Sequence, residues 1–431
     1  MQIHLEPTIF SNEFSYFFVL FGPRFDATIP LIAKALEKAF GGKWKPIVVY
    51  SSKPAEAFLK ENYLVINYDG DEIEAIVRGP VVALQEYEDL NDEFATSPEV
   101  WGIIGKLKKK QKKVVIIPFT TSFLEIDDPD VFVVGPDRHL AKRYDNKVTH
   151  FALFQELDLP RNRAMIFASQ SDVLAAGTKI LPCYITAAFS SGGSESGLIY
   201  SEKMLKKIFS RLRNVNASGA FLVSDIFEGL LLAPNVNALV TADGRTEIAV
   251  ITDQILRGNR YLGNIYPSIC ESHHRDKIVE ITIRIGDYIA KQGYRGLFGL
   301  DFLINDKGDL VVVDLNPRRQ GGYSCNVLAL QSIGIDLIET EVKTALGQDI
   351  TLGLPRDGAL FSYAWAHSKV KPSDPGQRIK NEYQKGNFEN IFFSVPSDYE
   401  ATFSINGSIF IDGYTGYVAM TGQDRTKLLK S

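Results

Sequence analysis

The chain has 431 residues, of which 45% are hydrophobic and 23% charged, and its formal net charge at pH 7 is −5. This length suffices for about two to four domains, and the slightly acidic charge gives no electrostatic argument for nucleic acid or a membrane surface as a partner. No apolar run approaches the length of a bilayer span, and Cys183, Cys270 and Cys325 are too far apart for a zinc knuckle. We therefore expect a cytoplasmic protein with reduced thiols.

The first third of the chain alternates strand and helix patterns. Residues 28–40 have helical periodicity, which Gly41 and Gly42 end, and strands are predicted at 15–21, 46–50, 114–118 and 131–134. This order predicts a parallel, doubly wound sheet over about residues 14–136. The turn after the first strand lacks GxGxxG, so a dinucleotide-binding domain has little support.

Beyond Gly135-Pro136 the predicted elements are mixed. Helices are predicted at 139–157, 171–176, 201–212, 276–292 and 333–346. Central strands are predicted at 180–185, 220–227, 238–242 and 247–254. The tail from residue 355 is predicted to hold short strands at 361–365, 391–394, 408–411 and 417–420, and a last short helix.

One predicted hairpin, GLFGLDFLINDKGDLVVVDLNPRRQGG at 296–322, carries polar residues inside apolar runs. If the turn pairs Ile304 with Asp309, Asp301 lies opposite Val312 and shares a face with Asp314 and Asn316. Three oxygen-bearing side chains on one face suit a hard cation such as Mg²⁺. The alternative is that they satisfy nearby backbone groups or pair with the following arginines, at 318 and 319.

A second candidate site is the small-residue loop Ser190–Gly197, which follows a predicted strand. Glycine and serine let backbone N–H groups approach phosphate oxygens closely, so the loop could cradle a phosphate. A flexible surface loop is the alternative.

These motifs together resemble the ATP-grasp superfamily over roughly residues 135–345. The family pattern GxxxxDF matches Gly296–Phe302, and the pattern (D/E)xNxR matches Asp314–Arg318. The resemblance implies that Asp301, Asp314 and Asn316 bind two Mg²⁺ ions on the phosphates of ATP, with Mn²⁺ as a substitute. It also implies a catalytic role for Arg318, which would stabilise the charge of the transferred group.

The resemblance extends to further nucleotide contacts. Lys147, in Asp145-Asn146-Lys147, corresponds to a lysine that contacts ATP phosphate, whereas Thr186 stands where the family usually has a second lysine. Arg161 or Arg163 could replace that second charge. The resemblance implies that the loop and the adenine-binding hinge contribute the other ATP-binding residues: Ser191, Gly192, Gly193, Ser194, Ser224, Asp225, Phe227 and Glu228.

The sequence offers three candidate substrate-contact residues near the end of one predicted strand. Gln254 ends a predicted strand, and Arg257 and Arg260 follow it; all three could face the acceptor or the γ-phosphate, although a solvent loop fits equally well. His273 and His274 lack metal-ligand spacing, and we interpret both as surface residues.

The expected fold is α/β, with α+β character in the ATP-grasp lobes. We predict a doubly wound pre-ATP-grasp domain at 1–136, a lobe with phosphate loop and hinge at 137–228, a metal-binding lobe at 229–350, and a small β-rich closing region at 351–431. By the resemblance, the protein would be an ATP-dependent carboxylate–amine ligase that forms an amide or peptide bond through an acyl phosphate. Its partners would be a small-molecule acid and amine, such as amino acids or small peptides, and a homodimer stays open.

Two alternatives remain at this stage. One is another ATP-grasp ligase, a carboxylase or a carboxylate–thiol ligase, although the sequence carries no biotin-carrier or coenzyme A motif. The other is an ATP-binding regulatory protein with reduced turnover, which the missing lysine at Thr186 would explain.

Overall fold

The structure is a computed structural model, and it describes residues 2–3, 10–20, 28–50, 64–67, 90–111, 113–189, 196–212, 219–258, 260–352, 362–369, 390–393, 401–405, 408–411 and 415–422. Within this part of the chain the fold is mixed α/β, as predicted. No described helix is both long enough and apolar enough to cross a membrane.

The first sheet is built mainly from parallel strands. Its strands are β1 (Gln2–Ile3), β2 (Phe14–Leu20), β3 (Lys43–Tyr50), β4 (Leu64–Asn67), β5 (Val114–Ile117) and β6 (Val131–Val133), in the order β1-β4-β3-β2-β5-β6. Only β1 is antiparallel to its neighbour. Helices α1 (Ile29–Phe40) and α2 (Pro98–Lys108) accompany it, and the near-continuous apolar runs of β2 and β5 are buried because both faces of the sheet are covered. The doubly wound prediction is confirmed.

A break between two helices follows this sheet. The single helix predicted at 139–157 is wrong, because the chain forms α3 (Arg138–Tyr144) and α4 (Lys147–Glu156). The Asn146 side chain accepts hydrogen bonds from the N–H groups of Val148 and Thr149, which is the N-cap that starts α4. Asp145, Asn146 and the start of α4 therefore form a turn beside the site.

The small second sheet is antiparallel. It contains β7 (Ala164–Phe167), β8 (Cys183–Ala187), β9 (Ser196–Ile199) and β10 (Phe221–Ser224), in the order β7-β10-β8-β9. Helices α5 (Gln170–Ala176) and α6 (Glu202–Leu212) cover one face, where Val173, Ile185, Phe209 and Val223 form a separate apolar core.

The large third sheet has nine strands. They are β11 (Leu230–Leu232), β12 (Pro234–Val240), β13 (Thr246–Arg257), β14 (Arg260–Tyr266), β15 (Gly296–Asn305), β16 (Leu310–Asn316), β17 (Ser362–Lys369), β18 (Asn390–Phe393) and β21 (Thr415–Gly422). Strands β17, β21 and β18 belong to the tail and extend this sheet beyond β14, whereas β19 (Ala401–Ile405) and β20 (Ser408–Ile411) pair with each other. The domain boundaries stay a prediction.

Helix α7 (Ser272–Lys291) covers one face of the large sheet, with Ile278, Ile281 and Ile285 packed against Val236 and Phe298. On the other face lie α8 (Tyr323–Ser332) and α9 (Leu337–Ala345), and α9 also contacts α1 of the first domain. The helix predicted at 333–346 starts later than expected, because Gly334 adopts a positive φ of 81° in the turn after α8. The predicted last helix lies outside the described residues.

Candidate active site

The hairpin of β15 and β16 places its two carboxylates directly opposite each other. Asp301 pairs with Asp314, and Gly299 pairs with Asn316, so the three predicted metal ligands lie on one face. The predicted register is wrong in detail, because the turn pairs Ile304 with Leu310 and a β-bulge follows between Asp301 and Phe302. The bulge adds one residue on β16, and it is this residue that aligns the two carboxylates.

The two carboxylates respond differently to this arrangement. Burial and the neighbouring charge of Asp314 raise the pKa of Asp301 to about 6. Burial opposes ionisation of Asp314 as well, but Lys147 and His150 outweigh it and hold the pKa of Asp314 well below its usual range. The face therefore carries one firmly ionised carboxylate and one whose ionisation costs energy.

Lys147 begins α4 and reaches the metal-ligand face. Its Nζ lies 2.5 Å from Asp314 Oδ2, and its backbone N–H donates to the carbonyl of Ala188, just after β8. The lysine thus stands between the predicted metal ligands and the strand that leads into the small-residue loop. Its contact with ATP phosphate stays a prediction that this position favours.

His150 is a contact that the sequence reasoning missed. Its ring is buried, with Nδ1 2.8 Å from Asp314 Oδ1 and Nε2 facing the carbonyl of Tyr144. A spacing of three residues on a helix places it on the same side as Lys147, which is a signal that the sequence does contain.

Arg318 lies near the site, where Asp145 holds its side chain. Its Nε donates to Asp145 Oδ2 at 3.1 Å, and its guanidinium lies 5.9 Å from the ring centroid of Phe119. The side chain is only 6% exposed. The turn before α4 therefore supplies both Asp145 for Arg318 and Lys147 for Asp314.

Arg319 points away from this face into the contact between domains. Its guanidinium donates to the carbonyls of Pro118 and Val134 and pairs with the buried Glu341. Arg318 thus forms an ion pair with Asp145 and Arg319 forms one with Glu341, and neither of these partners is one of the three predicted ligands.

The buried face beside Asp301 contains amides that the sequence reasoning also missed. Asn235 Nδ2 donates to Asp301 Oδ1, and Gln320 Nε2 approaches the same oxygen at 3.4 Å. A hydrogen bond from Gln254 also lowers the pKa of Asp301 in part, so this predicted substrate residue does lie at the metal-ligand face. The backbones of Arg257 and Arg260 pair at the turn between β13 and β14, and the roles of their side chains stay predictions.

The predicted hinge follows β10. Ser224 ends the strand, and the N–H of Asp225 donates to the carbonyl of Arg163 at 2.9 Å. Phe227 and Glu228 lie in the irregular connection to β11. The adenine contacts of this segment stay a prediction.

The predicted phosphate loop is only partly described. Thr186 is buried on β8, opposite Leu222. Of the two proposed replacements for a lysine there, Arg161 instead donates to the carbonyl of Leu159 and stacks near Phe151, so it is occupied elsewhere. Four predicted ATP-binding residues lie outside the described residues: Ser191, Gly192, Gly193 and Ser194.

One further prediction needs correction. His274 is buried and its Nε2 lies 2.9 Å from the carbonyl of Gly308, so it is not a surface residue. It begins α7 under the β15–β16 turn, where its ring is needed to satisfy that carbonyl. His273 is exposed as predicted.

The side chains present fit a divalent cation. Asp301 and Asp314 face each other, and Asn316 Nδ2 lies 3.4 Å from Asp301 Oδ2, so three side chains that carry oxygen atoms lie together on this face. Oxygen-only donors of this kind suit Mg²⁺. Apart from Lys147 and His150, neutral groups surround the pair among the described residues.

Sequence comparisons identify the domain. Residues 184–322 match the model of the ATP-grasp domain. L-propargylglycine–L-glutamate ligase of Streptantibioticus cattleyicolor is 26% identical over 124 residues, which are 29% of this chain and 25% of that protein. The butirosin acyl-carrier protein–L-glutamate ligase of Niallia circulans is 22% identical over 244 residues, which are 54% of this chain and 58% of that protein. The matched part of the chain thus spans a quarter of the length of the first relative and somewhat over half of the length of the second.

Structural comparison supports the same fold over nearly the whole chain. Biotin carboxylase of Campylobacter jejuni, solved as a β,γ-ATP complex, aligns with a TM-score of 0.59 at 17% identity. The alignment covers 96% of this chain and 88% of that one. At this identity the similarity concerns the fold, and the resemblance seen in the sequence motifs is confirmed at that level.

Proposed function

This chain contains an ATP-grasp domain, and we propose that it acts as an ATP-dependent carboxylate–amine ligase. The observation that carries the proposal is the pair of facing carboxylates, Asp301 and Asp314, with Asn316 beside them. Two partly buried carboxylates that face each other repel unless positive charge lies between them. Such a face favours chemistry on the phosphates of ATP, which reach enzymes as a magnesium complex.

In this proposal Asp301, Asp314 and Asn316 hold two Mg²⁺ ions, with Mn²⁺ as a substitute. When bound, the ions supply neutralising charge for the β- and γ-phosphates. Lys147 contributes a point charge at the same place, because its Nζ already lies against Asp314, while its backbone N–H contacts the end of the small sheet. Bringing in the phosphates would let this ammonium turn from Asp314 to a phosphate oxygen.

Arg318 is the catalytic residue of the proposal. Asp145 fixes its guanidinium through Nε, and the proposal places this guanidinium against the negative charge that develops on the transferred group. A fixed donor of this kind needs little reorganisation during the reaction, and its interaction strengthens as charge grows on the transferred group.

The proposed reaction has two steps. A carboxylate oxygen of the acid attacks the γ-phosphorus of ATP, and ADP leaves with the electrons of the broken P–O bond. The amine nitrogen then attacks the acyl carbon, inorganic phosphate leaves, and the nitrogen loses a proton as the amide forms. Within the described residues, the site does not bring together a serine–histidine or cysteine–histidine pair that would favour covalent catalysis instead.

The names of the two relatives suggest where to look for substrates. Both are named as L-glutamate ligases, so we propose L-glutamate as the first candidate, either as the acid or as the amine. Gln254 is the substrate-contact candidate that the geometry favours, because it is half-buried and lies beside Asp301.

The test is a screen for ADP formation. Purified protein is incubated with Mg-ATP and pairs of amino acids or small acids, beginning with L-glutamate, and ADP and the amide product are measured together. We expect ADP to form only when both an acid and an amine are present. The amount of ADP should equal the amount of amide product. ADP release that instead requires bicarbonate would favour a carboxylase, which the similarity to biotin carboxylase keeps as the second candidate.

ATP binding without ADP release in any mixture would contradict enzymatic function and favour a regulatory protein. Thr186, in place of the family's lysine, is the feature behind that alternative.

A further inference from the structure

A row of buried polar side chains crosses the large sheet next to the metal-ligand face. It lies on the face opposite α7, and all of its members are neutral. None is more than 6% exposed: Asn235, Asn237, Thr252, Asn264 and Gln320. We call this set the amide row.

Strand register explains why these side chains meet. Asp314 pairs with Asp301, Asp301 with Asn235, and Asn235 with Thr252, so one line of opposite residues runs across four strands. Residues that lie opposite each other in antiparallel strands share a face. The amide row is therefore a direct continuation of the metal-ligand pair.

The row is connected by hydrogen bonds. Gln320 Oε1 accepts from Asn235 Nδ2 at 3.0 Å and from Asn237 Nδ2 at 2.8 Å. Asn264 Nδ2 donates to Thr252 Oγ1 at 2.8 Å and lies 3.3 Å from Asn235 Oδ1. At its inner end the network reaches Asp301, whose Oδ1 faces the amides of Asn235 and Gln320.

Glycines make room for this arrangement. A Cβ on Gly299 would lie 2.1 Å from the amide carbon of Gln320, and one on Gly322 would lie 2.4 Å from Asn264 Oδ1. Any side chain at either position would displace an amide of the row. Glycines on β15 and in the segment after β16 thus leave the space that the amides occupy.

Stability alone does not account for such a row. A buried amide costs free energy that its hydrogen bonds roughly offset, so apolar residues of similar shape would serve a core equally well. The row does one thing that apolar residues could not do. It engages Asp301 Oδ1 with the amides of Asn235 and Gln320, beside the hydrogen bond from Gln254, while Asn316 Nδ2 lies 3.4 Å from Oδ2.

We propose that Gln320 and Asn235 are positioning residues that fix the Asp301 carboxylate so that only Oδ2 is presented to a metal ion. Neutral amides suit this role, because a cation would compete with the metal and an anion would repel Asp301. Partners of metal ligands commonly change metal affinity about 10- to 100-fold when removed. The inference rests on the metal assignment in the proposed function, and it concerns how that ligand is held.

The experiment measures Mn²⁺ binding to the protein–ADP complex by electron paramagnetic resonance, which does not depend on turnover. Gln320→Met and Asn235→Leu keep the approximate side-chain size and remove the donors to Asp301. Each should weaken Mn²⁺ binding about 10- to 100-fold while metal-free ADP binding is unchanged. Thr282→Val is the matched control, because it removes a buried hydroxyl from α7, on the opposite face of the large sheet, where it donates to the carbonyl of Ile278, and it should bind Mn²⁺ like the wild type.

Asp301→Asn distinguishes a failure of the positioning role from a failure of the metal assignment. If Asp301→Asn loses Mn²⁺ whereas Gln320→Met and Asn235→Leu both bind it normally, the positioning role is overturned and the metal site stands. If Thr282→Val weakens Mn²⁺ binding as much as Gln320→Met does, the effect comes from general packing and the positioning role is overturned. If Asp301→Asn itself binds Mn²⁺ normally, the metal assignment fails. Should one of the two test variants fail to fold, the other decides alone.

Discussion

Asp301 is the residue whose ionisation most clearly lowers the folding stability of the metal-free protein. Its raised pKa means that the folded state holds a proton that the unfolded state has already lost, over the range from about pH 4 to about pH 6. Folding stability from this group therefore falls as the pH rises through that window and stays reduced above it. Asp301→Asn removes the loss, so in chelator the variant should be more stable than wild type at pH 8, by about 1–3 kcal/mol.

Thermal or urea unfolding at pH 4.5 and pH 8 measures this directly. The gain should shrink towards the lower pH, because at pH 4.5 the folded wild type keeps the proton on Asp301 and no longer carries the cost of ionising it. The exposed Asp276→Asn serves as the control and should change stability little at either pH. An equal effect of Asp301→Asn at both values would mean that its ionisation is not what costs stability.

Arg318 should matter for turnover more than for nucleotide binding. Arg318→Lys keeps the positive charge but loses the planar fork that can bind Asp145 and a second oxygen at once. We expect a fall in kcat on the order of 10²- to 10³-fold, with the affinity for ATP little changed. Steady-state kinetics together with direct ATP binding give both quantities.

Arg138→Lys is the matched control, since Arg138 also pairs with a single aspartate, Asp127, but away from the site. Its kinetics should stay close to wild type. A loss of ATP affinity in Arg318→Lys with kcat preserved would make Arg318 a binding residue.

The sequence could predict that Asp301, Asp314 and Asn316 share one face, although the structure reaches this arrangement through a β-bulge that the predicted register did not include. It could not reveal their partners. Asn235 and Gln320 reach Asp301 from separate segments, and no local pattern marks an asparagine in an apolar strand as a neighbour of a residue 66 positions away. The contact between Lys147 and Asp314 spans 167 positions and is equally invisible.

At the scale of elements, the loop after β16 is the junction where the site meets the first domain. Arg319 in this loop binds carbonyls at the carboxyl ends of β5 and β6, and its pair with Glu341 reaches α9. Both partners of this ion pair are buried, so the loss of Arg319 should be costly.

Arg319→Ala should therefore destabilise the protein by about 3–5 kcal/mol, since it leaves Glu341 as a buried charge without its partner. Chemical denaturation measures this loss. The double variant Arg319→Ala with Glu341→Gln should recover part of it, because the remaining side chain is neutral. Wild-type stability of the single variant would contradict the role of Arg319 as the link between domains.

Element boundaries show where local patterns are insufficient. Residues 139–157 have a continuous helical pattern, but Asn146 competes for the backbone N–H groups and starts a new helix. The bulge beside Asp301 likewise has no clear sequence signal, and it changes which residue faces the carboxylate. Both deviations lie at the candidate site, where the turn and the bulge bring charged groups together.

At the scale of the whole molecule, the βαβ order predicts the first sheet well because its pairings follow the chain. The tail is different. Strand β17 pairs with β14 across about a hundred residues, so the large sheet extends into a region that the sequence suggested was separate. Strand patterns identify such segments, but they do not tell which edge a strand joins.

The central claim is that the facing carboxylates hold the metal of an ATP-dependent ligase. Mg²⁺-dependent ADP formation by Asp314→Asn, with a productive acid and amine, tests it most directly, with circular dichroism to verify the fold. Asp309→Asn, in the exposed turn of the same hairpin, is the matched control. We predict that Asp314→Asn abolishes ADP formation while Asp309→Asn keeps it. Wild-type ADP formation by folded Asp314→Asn would contradict the account.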